Sequence, residues 1–185
     1  EAIRDMGLAL SDKEHAYLSR LAAAGPPFSD VTETYLRNNL EKWLLPYLDN
    51  VVTAKDWKEL DKLPALQAIF SYSETEQLNR IAPASFVTPL GQRISILYSD
   101  NQPQISLKLQ EMFGQITHPT VAGKPLVVTL LSPASRPLQT TTDLPGFWKT
   151  SYSDVRKDMR GRYPKHAWPE NPEEAVPCLR IKAKK

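Results

Sequence analysis

Residues 147–166, FWKTSYSDVRKDMRGRYPKH, hold six cations, Lys149, Arg156, Lys157, Arg160, Arg162 and Lys165, against two acids, Asp154 and Asp158. On a helix Arg156 and Arg160 are i,i+4 neighbours, as are Lys149 and Ser153, whereas Lys157 projects elsewhere. A basic stripe of this kind can meet phosphates at the spacing a nucleic-acid backbone repeats. Tyr163 and Trp168 follow in the proline-restrained stretch RYPKHAWP. They can stack on unpaired bases, or pin an extended tail by burying their own area. Anchoring carries more weight for the two aromatics, and His166 reads as a hydrogen-bonded member of that dock. The cations are the better contact candidates, because anchoring does not require them. The competing reading is that Asp154 with Lys157, or Asp158 with Arg162, form exposed ion pairs worth roughly 0–1 kcal/mol.

Other chemistry is not spelled out along the chain. GxxxxGK[ST] and GxGxxG are missing, and the seven glycines are too dispersed for a phosphate-cradling loop. His15, His118 and His166 stand far apart without cysteine or carboxylate at ligand spacing, which argues against a metal site. GxSxG is missing as well. Glu173 and Glu174 lie in proline-rich sequence that reads as surface. Cys178 is the one cysteine, so no internal disulfide forms, and a reducing compartment is expected. No residue is assigned a catalytic role, and an independent enzyme is the weakest class.

Charge distribution says more than the net value of +2. Residues 1–145 carry 13 Lys/Arg against 16 Asp/Glu, and residues 146–185 carry 10 against 5. That asymmetry favours an anionic partner for the C-terminal part. A hydrophobic share of 41% with four tryptophans is a globular composition. No apolar run approaches the roughly 20 residues of a membrane helix, and the start has no signal-peptide character. The chain opens on Glu1 rather than methionine, and is expected to be a piece of a longer protein.

The first 82 residues read as helices. Ser11 with Glu14, Asp30 with Glu33, and Ser73 with Glu76 are the expected capping pairs. Leu36, Leu40, Trp43 and Tyr47 line one face up to a kink at Pro46, with Trp43 and Tyr47 in the core. TAKDWKELDKL supplies a further helix, and Pro64 opens another. After Pro83 the pattern alternates. Residues 92–109 read as a β-hairpin turning at SDNQ, and KLQEMFG reads as a short helical stretch closing at Gly114. PLVVTLLS and RPLQTTT read as strands, the second at a sheet edge. One helix then resumes, with Phe147, Tyr152, Val155 and Met159 on a shared face. The expected fold is α+β: a helical region over 1–85, a small mostly antiparallel sheet unit with a C-terminal helix and extended tail over 86–172, and a basic flexible tail over 173–185.

Two stretches carry a family signature. YSDNQPQISLKLQEMFG, and LLSPASRPLQTTTDLPGFWKTSYSDVRKDMRGRYPKHAWPENP after it, closely resemble the C-terminal end of bacterial HrpB-type ATP-dependent helicases of the DEAH-box group. The matching blocks are Leu109 to Gly114, Leu130 to Pro137, Phe147-Trp148 with Tyr152, and Gly161 to Pro169. The resemblance covers residues 86–172 strongly and extends weakly into WLLPYL. It implies an accessory region downstream of two RecA-like motor domains, which would be its partners and would carry ATP and Mg. The fragment itself would need neither cofactor nor metal. The implied partner beyond the motor is single-stranded nucleic acid, RNA ahead of DNA, in the cytoplasm. The other class left open is a structural or protein-interaction module.

Overall fold

The computed structural model describes residues 7–99 and 102–179. The centre of the SDNQ turn and the tail beyond residue 179 lie outside them. Two compact units divide the chain: Glu1–Pro83 with Tyr98–Asn101, and Ala84–Leu97 with Gln102–Lys185.

The first unit is built from short helices, each started by a hydrogen-bonding side chain. Helix α1 (Asp12–Ala24) opens with the expected capping box, in which the Ser11 N–H donates to the Glu14 carboxylate at 2.7 Å. It ends before Gly25, at φ +79°, and two prolines. The long amphipathic segment after it is not one helix. It divides into α2 (Glu33–Asn38), α3 (Leu40–Trp43) and a 3₁₀ turn, Leu45–Tyr47. The break at Asn39, φ −122° and ψ 24°, precedes Pro46 by about two turns. The cap of α2 is Thr32, whose hydroxyl accepts from the Tyr35 N–H, because Asp30 is taken up in the 3₁₀ turn Phe28–Asp30. Helices α4 (Ala54–Glu59), α5 (Leu63–Gln67, Pro64 in its first turn) and α6 (Tyr72–Ile81) complete the unit. Helix α6 is capped by Ser71 and Glu74, two residues ahead of the expected Ser73 and Glu76.

Their shared core includes Leu21, Phe28, Leu36, Leu44, Trp57, Leu66 and Leu78. Trp43 is buried as expected, whereas Tyr47 is 38% exposed. Two charged residues are buried as well. Glu14 accepts the Lys62 N–H at 2.6 Å, and Lys62 Nζ donates to the Ala9, Trp57 and Leu60 carbonyls. Burial lowers the Lys62 pKa, partly offset by Glu14 and Asp61.

In the second unit β1 (Ser85–Val87) pairs antiparallel with β2 (Arg93–Ser95). Strand β3 (Leu97–Ser99) stands at the boundary of the two units, and the larger sheet of the second unit runs in the order β4-β7-β8, comprising Gln102–Lys108, Val127–Leu131 and Pro137–Thr141. A small antiparallel pair, β5 (Thr120–Val121) and β6 (Lys124–Pro125), sits in the connection before β7. The expected alternation places Ile105 and Leu107 inside, and RPLQTTT is indeed an edge strand. One pairing differs from an antiparallel pattern: β4 and β7 are parallel, Ile105 opposite Val128. The chain reaches that register through the connection after β4, which begins with the 3₁₀ turn Leu109–Met112 and closes at Gly114, φ +80°. Among the described residues no helix is long and apolar enough to cross a membrane.

Candidate nucleic-acid interface

The basic segment lies on two helices rather than one. Helix α7 (Leu144–Lys149) is capped by Asp143, whose carboxylate accepts the Gly146 N–H at 3.0 Å. It ends at Thr150, φ −114° and ψ −82°, and α8 (Tyr152–Arg162) begins after Ser151. Lys149 and Ser153 are therefore not helical neighbours, a correction to the single helix expected. The break lets three large rings meet: Phe147, Trp148 and Tyr152 are all buried, with Trp148 and Tyr152 edge-on at 5.4 Å. Phe113, from the turn closed by Gly114, joins them at 6.1 Å from Trp148.

Helix α8 sorts its side chains by angle. At about 100° per residue, Arg156, Lys157 and Arg160 fall within one ~100° arc, and Asp154 and Asp158 fall on another side. Tyr152 and Met159 form the buried face. Asp158 pairs with Arg162 at 3.1 Å, one of the two exposed pairs considered from sequence. Asp154 makes no such pair with Lys157 among the described residues. Lys149, Lys157, Arg160 and Lys165 are all exposed, and no ion pair engages them among the described residues.

Arg156 is placed differently. Its Nε donates to the Trp168 carbonyl at 2.9 Å and Nη2 to the Glu170 carboxylate at 3.0 Å. These bonds belong to a strap that runs back over the unit. Trp168 is 6% exposed, and its indole N–H donates to the Tyr163 carbonyl at 2.9 Å. The Tyr152 hydroxyl donates to the Pro169 carbonyl at 2.8 Å, the Gly114 N–H to Pro172 at 2.9 Å, and the Cys178 N–H to Gln110 at 3.2 Å. Burial pushes the Tyr152 hydroxyl pKa up, with Arg156 opposing weakly, so the donor stays protonated. Trp168 is thus turned inward, with its ring buried and its N–H satisfied within the strap. Tyr163 is half-buried, its ring edge-on to His166 at 6.2 Å. Between strap and helix lies a shallow groove of about 270 Å³ lined by Arg156, Arg160, Pro164, His166, Trp168 and Glu170. Reading the sequence alone singled out neither Glu170 nor Pro164. An acid 14 positions beyond its cation in irregular chain gives no periodic signal.

The other histidines serve local structure. His15 lies 3.7 Å from Glu33, and His118 joins the Leu126 carbonyl to the Leu144 N–H.

The second unit thus combines a mixed sheet, a split basic helix and a strap that holds a buried tryptophan. Residues 43–172 match the family model described as ATP-dependent helicase C-terminal, HrpB_C, and the chain belongs to that family. It is 42% identical to the ATP-dependent RNA helicase HrpB of Escherichia coli over 97% of its length, and covers 24% of that protein. It is also similar to the crystal structure of the E. coli DExH-box NTPase HrpB, with a TM-score of 0.87 and 40% identity over 95% of this chain and 23% of that one. A crystal structure of the E. coli DEAH/RHA helicase HrpB matches with a TM-score of 0.73 and 40% identity, over 90% of this chain and 22% of that one. The chain therefore spans about a quarter of the length of these relatives.

Proposed function

We propose that this chain is the accessory C-terminal module of a cytoplasmic ATP-dependent helicase and helps hold a nucleic-acid strand, RNA ahead of DNA. The supporting observation is the set of exposed cations, Lys149, Lys157, Arg160 and Lys165, without carboxylate partners among the described residues, those on α8 lying on an arc away from its acids. The relatives' extra length would supply the motor domains, with their ATP and Mg, as its partners. Such a surface binds the phosphate backbone without reading sequence. Charge reversal at Lys157 and Lys165 together is the test. Arg156 is left intact because it holds the strap. Binding of a single-stranded 20-mer at about 0.1 M salt is expected to weaken at least tenfold. Unchanged binding, or none in the unaltered chain, overturns the proposal.

A second reading rests on exposed apolar side chains, Val87, Leu97 and Ile116, in the second unit. A structural module would pack these against the motor domains. It predicts association with separately produced motor domains of a relative while nucleic acid is ignored.

A further inference from the structure

The groove between α8 and the strap carries a ligand reading of its own. Arg156 and Arg160 are one helical turn apart and both line it, with His166 on the strap side and the buried Trp168 among its walls. Two guanidinium groups and an imidazole converging on a small polar hollow are suited to an anion with several acceptor oxygens. One anion is already present, and it belongs to the chain. The Glu170 carboxylate meets Arg156 Nη2 at 3.0 Å.

That carboxylate is loosely held. Its side chain is 87% exposed, whereas that of Arg156 is 23% exposed, and its one ion pair among the described residues is to Arg156. Arg156 does not depend on it for position, since the Nε bond to the Trp168 carbonyl at 2.9 Å orients the guanidinium separately. Trp168 in turn is fixed by burial and by its bond to the Tyr163 carbonyl. If Glu170 swings into solvent, a placed Arg156 remains beside Arg160 and His166. Exposed ion pairs are weak, so this displacement costs little.

We propose that the Arg156–Arg160–His166 groove is a phosphate site that Glu170 occupies in cis, and that a phosphodiester of a nucleic-acid strand binds by displacing the Glu170 carboxylate. The inference rests on the nucleic-acid reading for its physiological ligand; the anion site itself does not. It also gives Arg156 two roles, holding the strap through Nε and meeting the ligand through its terminal nitrogens.

The test uses the whole chain and two probes, a single-stranded RNA 20-mer and inorganic phosphate. Glu170→Gln keeps the side-chain shape and removes the competing charge, and is expected to tighten RNA binding about three- to fivefold at 0.1 M salt. Glu174→Gln makes the same change in net charge at another exposed position and is expected to leave affinity within about 1.5-fold. Arg160→Ala is expected to weaken RNA binding about threefold or more. In the second arm, phosphate titration should move the His166 ring resonances, at lower concentration in Glu170→Gln and not in Arg160→Ala. Equal effects of the two glutamine variants on RNA, with no phosphate response at His166, overturn the inference and leave the proposed function standing. A phosphate response without RNA binding assigns the site to free phosphate, sustains the displacement and overturns the nucleic-acid function. Silence in both arms overturns both.

Discussion

Arg156 shows what a residue type can and cannot announce. Its charge and its spacing from Arg160 marked it as a candidate phosphate contact, and its partners Trp168 and Glu170 stayed hidden because irregular chain brings them back. The aromatic half of the site was more legible. Two large rings between prolines have few ways to satisfy their apolar area except burial, and Trp168 is buried. The same logic applies to tyrosine hydroxyls, which must find acceptors when buried. Tyr98 donates to the Pro83 carbonyl at 2.6 Å, and burial pushes its pKa up to about 12, with Arg20 opposing. The hydroxyl ionises near pH 10 in the unfolded chain and about two units higher in the folded one. The stabilisation it supplies is therefore complete below pH 10 and is lost as pH rises towards 12. In urea titrations Tyr98→Phe should cost about 1–2 kcal/mol at pH 8. That difference should shrink, and can reverse, by pH 12. A difference that stays constant across the range would show that the hydroxyl gains nothing from its carbonyl.

At the scale of elements, local signals were read well where one answer fitted and less well where two did. Ser11 with Glu14 had no rival in its neighbourhood, and it caps α1. Around α6 the S-x-x-E pattern occurs twice, at Ser71–Glu74 and Ser73–Glu76. The first is used: Ser71 Oγ accepts the Glu74 N–H, and the Glu74 carboxylate accepts from the Ser71 N–H at 2.8 Å and hydroxyl at 2.7 Å. Those bonds lower the Glu74 pKa. Both registers leave Leu78 free to face the core, so hydrophobic periodicity could not choose between them. Ser71→Ala should cost about 1 kcal/mol and Ser73→Ala less than about 0.5 kcal/mol, measured by thermal or urea unfolding. Equal costs would mean that the helix starts later. The parallel pairing of β4 with β7 was illegible for a similar reason. Alternation with period two is the same in either direction, and only the connection after β4 fixes the register.

Over the whole molecule, charge is divided rather than balanced, at −3 for residues 1–145 and +5 for residues 146–185. Within the basic part the structure separates cations that are engaged from those left to solvent. Arg156 and Arg162 have carboxylate partners, and Lys149, Lys157, Arg160 and Lys165 have none among the described residues. That separation turns a qualitative asymmetry into a number. Each cation that neutralises a phosphate releases condensed counterion, and for a single strand the slope of log K against log salt is about −0.7 per contact. Four contacts give a slope near −3. Lys157→Ala should then move it by about 0.7 and weaken binding to homopolymers of different base by similar factors, since phosphate contacts carry no sequence information. Fluorescence anisotropy of labelled 20-mers between 0.05 and 0.3 M salt measures both quantities. A slope shallower than about −1 would mean that these side chains are solvating charges, and the family's C-terminal module would have to act through its apolar surface instead.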